Sequence, residues 1–396
     1  MSSRQGAGDA HAQRVRRATR WLALVSALLV THGSLYPWHF AQPASFADGW
    51  SHMMNQTSWW TGLGDVVGNV VLFLPVGVLG WALAREWRTP PALNATIVVV
   101  LGVGFAFVLQ VAQIYVPSRD AAWSDVVWNT IGLLLGLCIA APVLRLPLGG
   151  LHAMHWRVPV TFMLLWLLLQ WWPFVPRLDW QHIKDALKPL LLHPRWRTNT
   201  ALDAGFSLMV LGALVRPLRR RSGVMWGLPV LAAFGTLMLE HQFLSVSRVA
   251  GWCAGAIAVL WMWRLPARTH GWLGAGLALL WYTVDELKPF ELSDSVSPFH
   301  WMPFEAMLEG SLSANTLALA WQLFWLGAVI VLAHERGARA GPLALALSLW
   351  TLLLEALQML LPGRIADVTP ALLPWFWVLA LPLLPMQSAR NSEVGY

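Results

Sequence analysis

Charge is what this sequence lacks. Only 12% of its 396 residues are Asp, Glu, Lys or Arg, where a soluble domain carries about 25%. With 57% hydrophobic residues, that excludes an ordinary soluble enzyme and a disordered chain. The sequence pI of 10.1 does not make the chain a nucleic-acid binder, because so little charge is spread over so much apolar sequence. Lysine is nearly absent. Lys184, Lys188 and Lys288 are the only ones, so the net charge of +7 rests on arginine. Cysteine is also scarce. Cys138 and Cys253 both fall in apolar runs, which excludes a disulfide scaffold, and a structural zinc site would need about four ligands. The twelve histidines offer no metal spacing; His152 and His155 lie three apart with no carboxylate beside them. There is no nucleotide loop, redox motif or Ser/His/Asp order, so neither a metal nor a cofactor is expected.

What is present points to a bilayer. The 27 Trp, 25 Pro and 31 Gly suit membrane helices, which end in aromatic belts and tolerate Gly and Pro. Apolar runs near the length of a membrane span fall at about 20–37, 66–84, 95–116, 124–143, 157–173, 201–217, 225–243, 248–264, 271–287, 314–333, 342–361 and 368–386. They do not alternate as barrel strands would. The first run follows Arg14, Arg16, Arg17 and Arg20 and reads as a retained signal anchor. With a cytoplasmic N-terminus, nine cations fall outside: Arg119, Arg177, Lys184, Lys188, Arg195, Arg197, Arg248, Lys288 and Arg364. The other 18 of the 27 lie inside, the expected bias, so both termini are expected in the cytoplasm.

A repeat is legible within these runs. Pro37, Pro173 and Pro289 each close a span next to an aromatic residue. Gln113, Gln242 and Gln358 each precede an arginine by six residues, at Arg119, Arg248 and Arg364. Pro173 to Pro289 and Arg248 to Arg364 are both 116 residues. The expected fold is therefore an all-α polytopic membrane protein of about twelve helices. They fall in three four-helix units, at 1–150, 151–265 and 266–396, and the second helix of each carries Gly77, Gly212 or Gly327.

Ionisable and amide groups near hydrocarbon are costly, so each is a candidate for function. The first unit is richest. Asp65 and Asn69 lie four apart on the second helix, and Gln110 and Gln113 three apart on the third. Pro117-Ser118-Arg119 breaks the chain, and Asp125 and Asn129 lie four apart on the fourth, ahead of Gly132 and Gly136. Such spacings put each pair on one helix face, and glycines let backbones approach closely.

This series, Asp65…Asn69-Val-Val-Leu-Phe-Leu-Pro-Val-Gly77, then Gln110…Gln113…Pro117-Ser-Arg119, then Asp125…Asn129…Gly132…Gly136, resembles the VanZ-like family. Its founding member is a teicoplanin-resistance protein. The family's usual third-helix pattern, Glu, Gln, Pro-Gly-Arg, recurs here at Glu355…Gln358…Pro362-Gly-Arg364 with Asp367 following. The resemblance covers about 65–136 and 351–369 and is faint between them, where Gln242, Arg248 and the spacing remain. Gln110 stands where the family has Glu, and Pro370 and Pro374 stand where the first unit has Asp125 and Asn129. Residues 254 and 258 of the second unit are alanines, with Glu240 nearby.

The resemblance implies a bacterial envelope protein of the inner membrane. The binding residues expected are Asp65, Asn69, Gln110, Gln113, Arg119, Asp125 and Asn129, with Glu355, Gln358, Arg364 and Asp367 in the third unit. The expected ligand is an anionic amphiphile, either a lipid-linked glycan or a phospholipid, docked on spare Arg119 donors while Asp125 or Asp65 pairs with the guanidinium. Envelope proteins or a second copy of the chain are further partners in this reading. The setting would be cell-wall or polysaccharide metabolism or glycopeptide resistance, with binding and enzymatic roles both open. A transporter or lipid flippase, or a non-catalytic scaffold, are the rival readings. Against transport, the polar groups crowd one face and not the midplane. The acidic, aromatic stretch from Asp285 to Glu309 is expected as a surface loop, and the basic stretch Asp179 to Arg197 as a lipid-facing one.

Overall fold

The computed structural model describes residues 2–56, 63–145, 157–172, 174–216, 223–240, 242–309 and 312–384. His152 and His155 lie outside them. The chain divides into two compact units, residues 1–148 and 149–396, and both are helical.

In the first unit the helices are α1 (Ser2–Leu35), α2 (Phe46–Asn55), α3 (Leu63–Ala84), α4 (Pro91–Gln113) and α5 (Trp123–Arg145). The α4 helix shows why the apolar runs become membrane helices. Its buried residues Asn94, Val98, Gly102, Ala106, Leu109, Gln110 and Gln113 recur every three or four positions and form one stripe. On other faces Leu101 and Val108 are 64% and 62% exposed. A helix apolar on its outside as well as its inside is built for lipid. Lipid tails are as apolar as leucine, so helices associate there by close packing and polar contacts. The α3–α5 pair, the most extensive contact of the unit, shows how. A Cβ added at Gly132 would overlap the Val70 carbonyl oxygen, one at Gly136 that of Leu74, and one at Gly77 that of Leu133. These glycines let the two backbones touch.

The second unit holds α6 (Arg157–Trp171), α7 (Trp180–Leu191), α8 (Thr198–Leu214), α9 (Gly223–Met238), α10 (Val246–Met262), α11 (Ala267–Glu286), α12 (Glu305–Glu309), α13 (Leu312–Glu335), α14 (Ala340–Gln358) and α15 (Leu373–Ala380). Here α8 packs most closely on α10 and α11 on α13. One core runs through Phe162, Leu208, Val259, Ala278, Phe324, Leu354 and Trp377. It therefore crosses residue 265, where the repeat places a boundary. Two short strands, β1 (Phe299–His300) and β2 (Ala366–Asp367), pair in parallel, and the Phe304 backbone N–H donates to Thr369 Oγ1 at 2.6 Å. The segment expected as a surface loop is thus tied to the turn after α14.

Among the described residues, five helical stretches are long and apolar enough to cross a membrane: Val66–Ala84, Pro91–Gln113, Trp123–Ala140, Ala314–Glu335 and Ala340–Gln358. The all-α membrane class holds; with four shorter apolar helices beside these five, the described residues do not confirm the count of about twelve spans. Several expected runs include turn residues, so their helices are shorter. Arg157–Trp171 has 15 residues and rises only about 22 Å, against a hydrocarbon core of about 30 Å.

Short helices stand between the first and second apolar helices of the series. Ser45 caps α2 by accepting from the Asp48 N–H at 3.2 Å, and Asp179 caps α7 by accepting from that of His182 at 2.7 Å. Side-chain caps of this kind start a helix where the sequence is too polar for the core.

Candidate functional site

Polar residues of the first unit meet where the N-terminal halves of α3 and α5 adjoin the C-terminal end of α4, and Asp125 is their centre. It sits in the first turn of α5, where the helix dipole favours negative charge. Asn69 Nδ2 donates to Asp125 Oδ1 at 2.9 Å, and Gln110 Nε2 to Oδ2 at 3.3 Å. Gln110 also accepts the Ala122 N–H through Oε1 at 2.9 Å, so this one side chain joins the start of α5 to α4. One turn deeper, Asn129 is 3% exposed and its Oδ1 has no hydrogen-bond partner among the described residues. Beside Asp125, the unused acceptor of this cluster among the described residues is the Asn129 amide oxygen.

Gln113 and Arg119 do something else. Gln113 Nε2 donates to the Ser34 carbonyl at 2.8 Å. Arg119 donates through Nε to the Tyr36 carbonyl at 2.8 Å and through Nη2 to that of Gly33 at 3.1 Å. These carbonyls belong to the C-terminal end of α1, which lacks intrahelical partners for them and favours a cation. Where the sequence leads to an ion pair of Arg119 with Asp125 or Asp65, the described contacts of the arginine are with the end of α1, which it clamps. Half-buried, its guanidinium is held below its ordinary pKa by desolvation, and the two carbonyl contacts offset that loss of water. The side chain of Asp65 lies outside the described residues; its backbone is in α3.

The second unit repeats the clamp. Arg364 donates through Nε to the Lys288 carbonyl at 2.9 Å and through Nη2 to that of Asp285, at the end of α11. Both clamped corners contain a cis X-Pro bond, Tyr36–Pro37 and Lys288–Pro289. Trp38, Phe174 and Phe290, each following one of the three prolines, have positive φ of 67°, 60° and 65°. Gln242 Nε2 donates to the Trp172 carbonyl at 2.7 Å, as Gln113 does to Ser34. Gln358 departs from this by donating to Glu286 Oε2 at 2.7 Å, which also stands 3.7 Å from Arg364 Nη1.

The family's glutamate position also resolves. Glu355 Oε2 accepts the Asp367 N–H at 2.9 Å, the same contact that Gln110 makes with Ala122. That seat needs an acceptor oxygen, which either side chain supplies. In the first unit the second arm of the side chain faces Asp125, and an amide donates there where a carboxylate would repel. Asp367 turns its own carboxylate to the backbone and hydroxyl of Thr369. Glu355, Gln358, Arg364 and Asp367 thus come together as a bonded cluster, with their polar groups largely occupied by protein.

Two features escape sequence reasoning. Main-chain carbonyls at Gly33 and Tyr36 carry no sequence signal. Asp203, by contrast, is a lone carboxylate in the apolar α8, and that alone marks it as a group needing an explanation. Its Oδ1 accepts from Trp281 Nε1 at 3.1 Å. Among the described residues, no group of three or more His, Cys, Asp or Glu is placed to hold a metal ion.

No curated protein and no solved structure matches the chain. Residues 3–145 match the family VanZ/LLP1. That stretch covers the recess at Asp125 and the arginine clamp, and lies within the first compact unit. Residues 3–145 of this membrane protein are a VanZ-like region.

Proposed function

We propose that the VanZ-like region binds the head group of an amphiphile, a lipid-linked glycan or a phospholipid, at the recess formed by Asn69, Gln110, Asp125 and Asn129. In this reading the recess faces the outer side of a bacterial inner membrane, and binding serves cell-wall or polysaccharide metabolism or glycopeptide resistance. The observation that carries it is the Asn129 amide oxygen, buried without a partner among the described residues, next to an Asp125 held in place by two amide donors. That oxygen calls for a ligand donor, the hydroxyl of a sugar or an amino group. Two of the five Arg119 donors hold α1, and the others keep an anionic head group within this reading.

The reading extends to three tandem VanZ-like units, of which the first is the most complete. The recurrent proline corner, the two arginine clamps and the shared seat of Gln110 and Glu355 support that extension.

The test is native mass spectrometry of the full chain with its co-purified lipids. Asp125→Asn keeps the shape and removes the charge. It is expected to lower retention about tenfold, the equivalent of about 1.4 kcal/mol, in a protein whose folding is checked by its melting temperature. Undiminished retention in a folded Asp125→Asn protein overturns the proposal.

A further inference from the structure

Residues 149–396 form a half-open cavity of about 350 Å³ among α6, α8, α10, α11 and α13. Two donors on residues of its wall have no hydrogen-bond partner among the described residues: Arg248 Nη1 and Trp325 Nε1. Trp325 is only 1% exposed. An unmet buried donor costs as much as a lost hydrogen bond, and native proteins rarely carry one without a reason. The acids of the same wall are partly engaged. Asp203 Oδ1 accepts from Trp281 Nε1 and the carboxylate lies within electrostatic reach of Arg248, while Asp285 pairs with Lys288 Nζ, which also lies 4.7 Å from the Trp281 ring. The two unmet donors suit accepting groups.

Its position is informative. Arg248 stands three residues before Gly251, which packs on the Ala201 carbonyl. Asn129 stands three before Gly132, which packs on the Val70 carbonyl. Thr200, one residue before Ala201, lines the cavity, as Asn69, one before Val70, lines the recess at Asp125. The same seat between two glycine-packed helices is acceptor-lined in residues 1–148 and cationic in 149–396. This also explains why Arg248 does not join Arg119 and Arg364 as a helix-end clamp despite the shared six-residue spacing. It lies in the first turn of α10, its backbone N–H held by the capping Ser245 Oγ at 3.3 Å.

We propose that this cavity binds a phosphoryl oxyanion, with Arg248 as its charged clamp and Trp325 N–H as a second donor. A guanidinium suits phosphate oxygens by geometry as well as charge. Leu169, Leu317 and Trp321 supply an apolar wall for the remainder of a phosphate ester. The head group of an anionic phospholipid and free phosphate share this chemistry. The inference uses other residues in the other unit, so it does not rest on the reading of Asp125.

The experiment uses the full chain in a maltoside detergent. Phosphatidylglycerol binding is followed by native mass spectrometry, and inorganic phosphate by the shift in melting temperature. Wild type is expected to bind at least one. Lipid retention without a phosphate shift assigns a head group, and a phosphate shift without lipid retention assigns the free anion. Arg248→Gln is expected to weaken the response about tenfold or more, since a hydrogen bond to a charged group is lost. Failure of wild type to bind either probe overturns the proposal. So does an Arg248→Gln protein that melts lower yet keeps its ligand response, because that marks a structural arginine. Should Arg248→Gln not fold, Trp325→Phe decides: it keeps the ring and loses the donor, and unchanged affinity overturns the assignment.

Discussion

Arg119 and Asp125 are six residues apart, and an ion pair between them is the natural expectation for charges near hydrocarbon. Carbonyls at the end of α1 win instead. They are also unsatisfied, they point outward along the helix axis, and two of them match the fork of one guanidinium. Lysine cannot reproduce that geometry from a single ammonium, so charge alone will not rescue the position. Arg119→Lys and Arg119→Ala are both expected to destabilise the first unit, by about 1–3 kcal/mol. The check is the melting temperature of each variant in detergent; Lys restoring full stability would show that charge, and not the fork, matters. Gln110 follows the same logic at smaller scale. Its oxygen does the work of the family glutamate, and its amide makes room for Asp125.

Pairs of helices depend on contacts that have no side chain in them. Gly132→Val puts atoms into the Val70 carbonyl of α3, so α3 and α5 must separate and the recess at Asp125 opens with them. A loss of about 2 kcal/mol or more is expected, in line with overpacking at a close contact, together with loss of lipid retention. Gly104 is the internal comparison. It lies in α4 with nothing near its Cβ position, and Gly104→Ala is expected to be neutral or to stabilise by up to about 1 kcal/mol. Thermal melts of the two variants side by side test both statements. On the short α7, the capping Asp179 is held below the usual carboxylate pKa by the His182 N–H and then by Arg177. A depressed carboxyl stabilises the folded form above its unfolded pKa and ceases to as pH falls through the folded value. Amide exchange at His182 is thus expected to quicken below the ordinary carboxylate range, and protection independent of pH would contradict this.

For the whole molecule the main expectation is orientation. The split of 18 cations against nine puts the turn at Ser118 outside and the turn at Arg88 inside, at opposite ends of α4. In intact cells a cysteine at Ser118 should react with an impermeant maleimide, and one at Arg88 should react only after permeabilisation. Reversed labelling would put the Asp125 recess on the cytoplasmic side and sink the envelope-ligand reading.

Composition and hydropathy alone determined that this chain is an all-α membrane protein, because too few charges remain to solvate a surface of any other kind. The sequence likewise singled out Asn69, Gln110 and Asp125, since a polar group in an apolar helix stands out whatever it contacts. Helical spacing placed them on facing sides. What it could not decide was which partner each polar group takes. Arg119, Arg248 and Arg364 look equivalent in sequence. Yet two of them reach the open carbonyls of a preceding helix, while the third begins a helix and turns into a cavity. Helix ends and their unsatisfied carbonyls appear only once the chain is folded, and hydrogen-bonding groups in a dry interior go to whatever partner lies within reach. Tertiary structure therefore decided the role of each arginine.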